Sequence, residues 1–376
     1  MPGGNFIEES ALSNYQKDAE TLKLLIDTLS TVFKDYPELS DTRISGRLDY
    51  EDIYRLTSDG LRLRTPIKNV RIYGNASYIT PDGKAFSEGP QIEYCDVDDL
   101  PPTDSLIAWI RGFASNLINK KIVELSEDDE YIGPVLYEGS WVKSVFCTSS
   151  FRKTTIPSFV ECKLDFRDRK YESSYKQLGK QVLCKNISVW QLGNDSVYNG
   201  HRLYRYRKYD ADGTRPATVE LIRKGVLMNQ LAGRVPSPKT LKSTGNERML
   251  ARKDGYFDNL CGVLRISFDN AMSRDKLVKK LISIAKAHHL EYAYILGDKG
   301  VLRVDTKTGK EESLRLGCNA MPSKQQLMGD IWASKKDMVD YHASVIHPQS
   351  ILFPSIEVKV NTFKPEKCER FVELRH

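Results

Sequence analysis

From residue 131 onward the chain is written almost entirely in short strand-like segments separated by turn signals, and this pattern constrains the fold more than any other feature. Val182–Trp190, His201–Tyr209, Thr218–Ile222 and Val226–Leu231 read as β segments, with a Lys224-Gly225 turn between the last two. Tyr292–Leu296, Val301–Asp305, Glu312–Leu316 and Ile356–Thr362 continue the series, and Thr306–Gly309 supplies a hairpin turn. One helix interrupts it. Leu277, Leu281, Ile284 and Ala285 form an inward stripe over Lys276–His288, and Ser273 is placed to cap it. The run predicts a β-rich domain of antiparallel strands.

The first third reads differently. Leu22, Leu25, Ile26, Leu29, Val32 and Phe33 recur at helical spacing, which predicts an amphipathic helix over Lys17–Phe33 that ends before Pro37. Residues 43–80 read as an antiparallel meander. Ser58-Asp-Gly60 separates Ile53–Thr57 from Leu61–Arg64, and Pro81-Asp-Gly83 closes Asn69–Thr80. After Pro101-Pro102, Thr103 and Asp104 are placed to cap a second helix with Leu106, Ile107, Ile110, Phe113, Ala114, Leu117 and Ile118 on one face. The acidic run Glu124–Glu130 has little to bury and marks the boundary before the strand-like Ile132–Tyr137. The fold class is α+β, with domains expected at 1–130 and 131–376.

At 376 residues the chain can bury two cores without disulfide staples. Its 56 basic and 50 acidic residues leave a net charge of +6, a small excess on a mixed surface that gives nucleic acid little to bind. Cysteines at 95, 147, 162, 184, 261, 318 and 368 are scattered and never form a CxxC pair. That argues against a zinc ribbon or a redox dithiol and fits a reducing compartment. No apolar run approaches the roughly 18 residues needed to span a bilayer, and the Met-Pro-Gly-Gly start carries no signal-peptide pattern. The expected location is cytoplasmic, with no membrane partner.

Five spaced motifs suggest a family. They are Gly133-Pro-Val-Leu-Tyr-Glu-Gly139, Tyr209-Asp-Ala-Asp-Gly213, Val219-Glu-Leu-Ile-Arg-Lys-Gly-Val-Leu227, Ser243-Thr-Gly-Asn-Glu-Arg-Met249 and Ile351-Leu-Phe-Pro-Ser-Ile-Glu-Val-Lys359. Together they resemble the TldD/PmbA family of metallopeptidases and their metal-free partners, also called modulators of DNA gyrase. The resemblance implies that residues 1–130 are the end of the family's N-terminal α/β half, truncated at its start. Residues 131–376 would be its C-terminal domain, with a barrel-like sheet around an internal groove. It also implies a homodimer or heterodimer enclosing a chamber for unfolded peptide, and zinc held by an HExxxH helix in the peptidase members.

That zinc motif does not occur in this sequence. The chemistry needs two imidazoles on one helix face with a carboxylate beside the metal-bound water. No histidine precedes His201. Sliding the motif over Tyr137-Glu-Gly-Ser-Trp-Val142 leaves Tyr137 and Val142 where histidines would stand and keeps only Glu138, at the base position. His288 and His289 are adjacent and diverge on a helix. His342 and His347 have the right separation, but Ala343 stands where the glutamate would be and Val345–Pro348 looks like strand or loop. Both pairs read as surface or capping histidines. The resulting expectation is a metal-free protein without cofactor, a peptide-binding partner of a family member that carries HExxxH or an inactive homologue. The alternatives are an active peptidase with unrecognised ligands, such as His342, His347 and a cysteine, or a regulator of gyrase or nucleic acid.

Other residues are candidates for binding. Cys147, Cys261 and Cys318 lie in no nucleophile motif and read as buried structural thiols. The basic and aromatic residues of His201–Tyr209 could stack on bases, yet strand alternation leaves neither face cleanly basic. The polar loop around Ser243, Gly245, Asn246 and Arg248, preceded by Arg234, offers amides and a guanidinium for a carboxylate or a peptide carbonyl, or alternatively is a structural turn. Asp210 and Asp212 read as turn chemistry before Gly213.

Overall fold

A computed structural model describes residues 4–80, 85–119, 131–147, 156–160, 177–233, 242–249, 257–259, 261–298, 300–314, 317–340 and 344–361. The boundary run Glu124–Glu130, the turn Pro81–Gly83, Arg234, His342, Cys162 and Cys368 lie outside them.

The first part is built on one long hairpin. Strands β2 (Leu39–Leu56) and β3 (Arg62–Ile79) pair along nearly their whole length, so the segments of the expected meander fuse into two 18-residue strands joined at the Ser58–Gly60 turn. Strand β1 (Asn5–Ile7) runs parallel to β3, and β4 (Ala85–Glu88) and β5 (Gln91–Tyr94) complete its edge. Helices α1 (Tyr15–Ser30) and α2 (Thr103–Asn119) cover one face. Leu22 and Leu29 of α1 and Leu106, Ile110 and Leu117 of α2 meet Ile44, Val70 and Ile72 in a single cluster, the burial that makes amphipathic helices of this length stable. Thr103 proves to be the first helical residue rather than the cap. The Pro102 carbonyl, which accepts from Leu106 N, closes that turn.

The second part contains two open sheets. In the first, β17 (Glu311–Leu314), β16 (Gly300–Asp305), β15 (Tyr292–Gly297), β6 (Tyr131–Glu138), β22 (Ser350–Asn361) and β18 (Gly317–Asn319) lie in that order, with β19 (Trp332–Ala333) also on β22. The second follows the order β11 (Val226–Leu227), β10 (Val219–Arg223), β7 (Ile187–Leu192), β14 (Val263–Phe268), β21 (Val345–Pro348), β20 (Asp337–Asp340). Among the described residues neither sheet closes, so the barrel-like antiparallel expectation gives way to two open mixed sheets. The pairs β6/β15 and β14/β21 are parallel. The reason is in the burial. Val135 and Tyr137 on β6 and Phe353 on β22 share one apolar cluster with Val189, Leu221 and Leu264 of the other sheet, which gives the two faces a common interior without closure. On the far side of β6, Leu136 meets Leu277, Leu281 and Ala285 of helix α5 (Arg274–Ala287), which Ser273 caps as expected.

Proline shapes the centre of the first sheet. Pro134 and Pro354 have no N–H to give a ladder, and the β6/β22 register shifts where they approach, between Phe353↔Val135 and Ile356↔Gly133. The bulge bends the pair without unpairing it.

Several local expectations change. His201–Tyr209 is not a strand. Only His201–Arg202 forms β9, opposite β8 (Val197–Tyr198), and the chain then turns through Tyr206 N to Leu203 O. The strand expected at Val182–Trp190 begins at Ile187, because Val182 and Leu183 bond back to the Gly225 carbonyl. The one expected at Val226–Leu231 ends at Leu227, where Met228 and Asn229 both turn to the Leu221 carbonyl. Helix α3 (Ser140–Cys147) was masked by its neighbours' strand-like composition, as were the short α4 (Ile156–Val160) and α6 (Lys324–Met328).

The tip of the long hairpin is fastened by charge. Arg55 donates to the Ala211 carbonyl at 2.6 Å and lies 3.2 Å from Asp212 and 3.8 Å from Glu247, which opens β12 (Glu247–Met249) opposite β13 (Phe257–Asn259). Burial pushes the Glu247 carboxyl up to about 8, and the hydrogen bond and charge of Asp212 add to the rise. Burial likewise raises Asp210 to about 6, against three backbone N–H bonds that favour its charged form. Both folded values lie above the ordinary carboxyl range, so the folded state holds these protons more tightly than the unfolded chain. Their contribution is complete at low pH and is lost as pH rises through about 6 and then about 8. The denaturation midpoint should therefore drop relative to that of Glu247→Gln as pH rises through the upper step. A wild-type midpoint that rises relative to the variant over that interval would contradict the assignment.

Candidate functional site

Two polar places contain the residues singled out in the sequence. The first is at the end of β6. Glu138 is the last residue of that strand, not part of a helix, because α3 begins two residues later. The turn between them needs Gly139, with φ of 62°, and a Cβ there would collide with Asp298. Asp298 Oδ1 accepts from Ser140 N at 2.9 Å and from Ser140 Oγ at 2.5 Å, placing a negative charge at the start of α3.

The Glu138 carboxylate is fully engaged. Arg274, the first residue of α5, donates Nε to Oε1 at 2.8 Å and Nη2 to Oε2 at 3.3 Å, and Ser350 Oγ donates to Oε1 at 3.1 Å. A two-point guanidinium grip is the strongest neutralisation a protein offers a carboxylate. The bond to Glu138 raises the Arg274 pKa, so the guanidinium keeps its charge. Tyr137, beside it, is buried and donates its hydroxyl to the Ala320 carbonyl.

His347 belongs to the same neighbourhood and corrects the expectation of a surface or capping residue. It lies in β21 with 0% exposure, and Nδ1 contacts the Pro348 carbonyl at 2.8 Å. Among the described residues Nε2 has no hydrogen-bond partner, and burial lowers its pKa, with Asp340, Lys143 and Asp298 acting on it from nearby. The neutral imidazole is therefore the form the fold selects. His288 and His289 do sit at a helix end, where His289 takes a left-handed conformation with φ of 58°. Among the described residues no group of three His, Cys, Asp or Glu side chains is arranged to hold a metal ion.

The second place is the loop before β12. Ser243 Oγ donates to the Ala232 carbonyl and accepts from Gly245 N, so its hydroxyl shapes the turn. Gly245 has φ of 71°, and a Cβ there would run into the Arg215 carbonyl. Asn246 is different. It is 0% exposed, and among the described residues neither its amide nitrogen nor its amide oxygen has a hydrogen-bond partner. Such a group costs roughly 1–3 kcal/mol when left unmade. Arg248 lies on β12, and only its backbone belongs to the described structure. Asp210 makes the turn bonds expected of it.

Burial works against thiolate formation at three of the described cysteines. Cys95, Cys147, Cys184, Cys261 and Cys318 form no disulfide among the described residues, and burial pushes the Cys318 thiol up to about 11 and those of Cys95 and Cys184 up to about 12. Sequence reasoning missed Arg274 and Arg55. Their only sequence signal is an arginine at the start of a predicted helix or strand end, and the acids they hold are far away in the chain.

A family model described as the PmbA/TldA metallopeptidase C-terminal domain matches residues 161–261. No curated protein matches the chain. Among solved structures, a candidate modulator of a DNA gyrase from Thermotoga maritima MSB8 is similar with a TM-score of 0.63 at 13% identity, over 95% of this chain and 79% of that one. TldE from Thermococcus kodakarensis gives 0.60 at 12% identity, over 95% and 78%. A candidate modulator of DNA gyrase from Bacteroides thetaiotaomicron gives 0.55 at 10%, over 93% and 72%. At these identities the structural likeness speaks for the fold, and the match over residues 161–261 attaches that fold to a sequence family. The chain shares the fold of these solved structures, and within it residues 161–261 match the C-terminal domain of the PmbA/TldA metallopeptidases.

Proposed function

We propose that this chain is a metal-free, peptide-binding member of the family, acting as the partner of a zinc-dependent peptidase or as its inactive homologue. The observation that carries the reading is the grip of Arg274 on Glu138. Zinc would need imidazoles here, and Tyr137 and Val142 supply none. The Glu138 carboxylate, at the base position, already bonds a guanidinium, whose positive charge repels a dication. This donor set does not suit zinc.

The peptide-binding half of the reading draws support from Asn246. Its carboxamide carries both a donor and an acceptor, the complement of a peptide group, and neither is used among the described residues. An extended peptide reaching this loop would recover both bonds, once the loop opens to admit it. The proposed assembly is a homodimer or a heterodimer with a family member that carries HExxxH, so that a chain like this one shapes the chamber while the other supplies the metal.

A fluorescently labelled unfolded peptide should bind the chain without being cleaved, with an affinity that chelator leaves unchanged. Cleavage that a chelator abolishes would overturn the proposal. Asn246→Leu, close in volume, should weaken that binding about tenfold while raising stability by about 1 kcal/mol, because it deletes an unmade pair of buried bonds. A variant that loses stability and keeps its affinity would assign Asn246 to the fold alone. Arg274→Ala should lower stability by about 1 kcal/mol, a modest amount for a pair that is partly exposed, and should create no cleavage. Gain of zinc-dependent cleavage in that variant would contradict the reading of Glu138.

A further inference from the structure

A cavity of roughly 520 Å³ lies where the start of the chain and strand β3 meet the turn after β9. That is the range of small-molecule pockets. Neither Glu138 nor Asn246 lines it, and the inference drawn from it does not depend on the function proposed above.

Three of the charged side chains on its wall, Lys68, Asp96 and Arg202, are already paired, while Glu9 and Asp98 add further negative charge to it. Lys68 lies 3.0 Å from Asp96 and 3.7 Å from Asp18, and Arg202 lies 3.1 Å from Asp96 and 3.4 Å from Asp99. Arg207 differs. Its Nη1 donates to the carbonyls of Tyr204 and Tyr206, both at 2.6 Å, and its guanidinium stands 5.7 Å from the centre of the Tyr204 ring. Among the described residues it closes no ion pair. These carbonyl bonds fix the guanidinium in place but leave its charge uncompensated, and burial lowers its pKa accordingly.

Glu8 presents the opposite charge on the same cavity. Its main chain is pinned to Arg64, with N donating to the Arg64 carbonyl at 3.3 Å and its own carbonyl accepting from Arg64 Nε at 2.6 Å. Its carboxylate forms no hydrogen bond or ion pair among the described residues. Arg207 and Lys208 act on it electrostatically, so the charges are within reach of each other, yet the pair does not close. Two half-buried, opposite charges held apart by fixed backbone across a cavity are each costly alone. A ligand carrying both complementary charges would satisfy the two together. A phosphate dianion fits less well, because Glu8 would repel it.

We propose that this cavity binds a small zwitterion bearing one carboxylate and one ammonium group, with the carboxylate on Arg207 and Lys208 and the ammonium on Glu8. Free amino acids and short peptides share that chemistry, and ligand length distinguishes them.

Calorimetric titration of the full chain with L-leucine, leucyl-leucine, acetate, methylammonium and inorganic phosphate tests the assignment. At least one zwitterion should bind in the millimolar range or tighter, and at least about tenfold tighter than acetate or methylammonium. Glu8→Gln is nearly isosteric and keeps the main-chain bonds to Arg64. It should weaken the zwitterion about tenfold and leave acetate unchanged. Arg207→Lys, which retains the charge without the planar fork, should weaken both zwitterion and acetate. Absence of zwitterion binding, preference for phosphate, or unchanged affinity in Glu8→Gln would each overturn the proposal.

Discussion

The architecture of the second part depends on strand β6 being buried on both faces. Val135 and Tyr137 point into the interior between the sheets, while Leu136 points to helix α5. A strand in that position has no polar face to spare, which is why its sequence runs almost continuously apolar from Val135 to Tyr137. It is paired on one side with β15 in parallel and on the other with β22 antiparallel, so its register fixes both neighbours. Pro134 and Pro354 are tolerated in so central a place because both fall at the bulge, which absorbs their missing donors.

That burial also determines the chemistry at the strand's end. Glu138 emerges from the core where α3 and α5 both begin, and an uncompensated carboxylate there would be expensive. Two different solutions are available to such a carboxylate, a metal ion or a fixed cation. This chain supplies the cation through Arg274, with Ser350 completing the shell. The neighbouring Asp298 is likewise committed, to the first turn of α3, and His347 is held neutral in the sheet. The result is a strand end whose carboxylates already have hydrogen-bond partners. Proposed peptide contacts then fall to the separate loop at Asn246, where hydrogen-bonding capacity is left over.

How much of this was legible in the sequence varied with the range of the interactions. Helices α1, α2 and α5 were legible because their apolar stripes repeat within one turn. The Lys224-Gly225 turn was legible because its backbone needs φ of 47° and 78°, which few residue pairs adopt easily. The motifs at Gly133–Gly139 and Ile351–Lys359 also proved to be one object, since Val135, Leu136 and Tyr137 pair with Phe353, Leu352 and Ile351. Their partnership was invisible in the sequence because more than two hundred residues separate them. The same limit hid Arg274 from Glu138 and Arg55 from Asp212. His201–Tyr209 misled for a different reason. Its alternation mimics a strand, but Arg207 binds the carbonyls of Tyr204 and Tyr206 and curls the segment into a turn. The two open sheets differ from the expected barrel because closure is a property of edges, which local patterning does not encode.

The central claim is that Arg274 occupies the electrostatic place a zinc ion would need beside Glu138. Metal analysis of the intact chain, purified without chelator from zinc-replete medium and then dialysed, tests it most directly. The account predicts far less than one zinc per chain and no change in unfolding temperature when zinc is added. One tightly held zinc per chain, lost together with thermal stability on chelation, would contradict it.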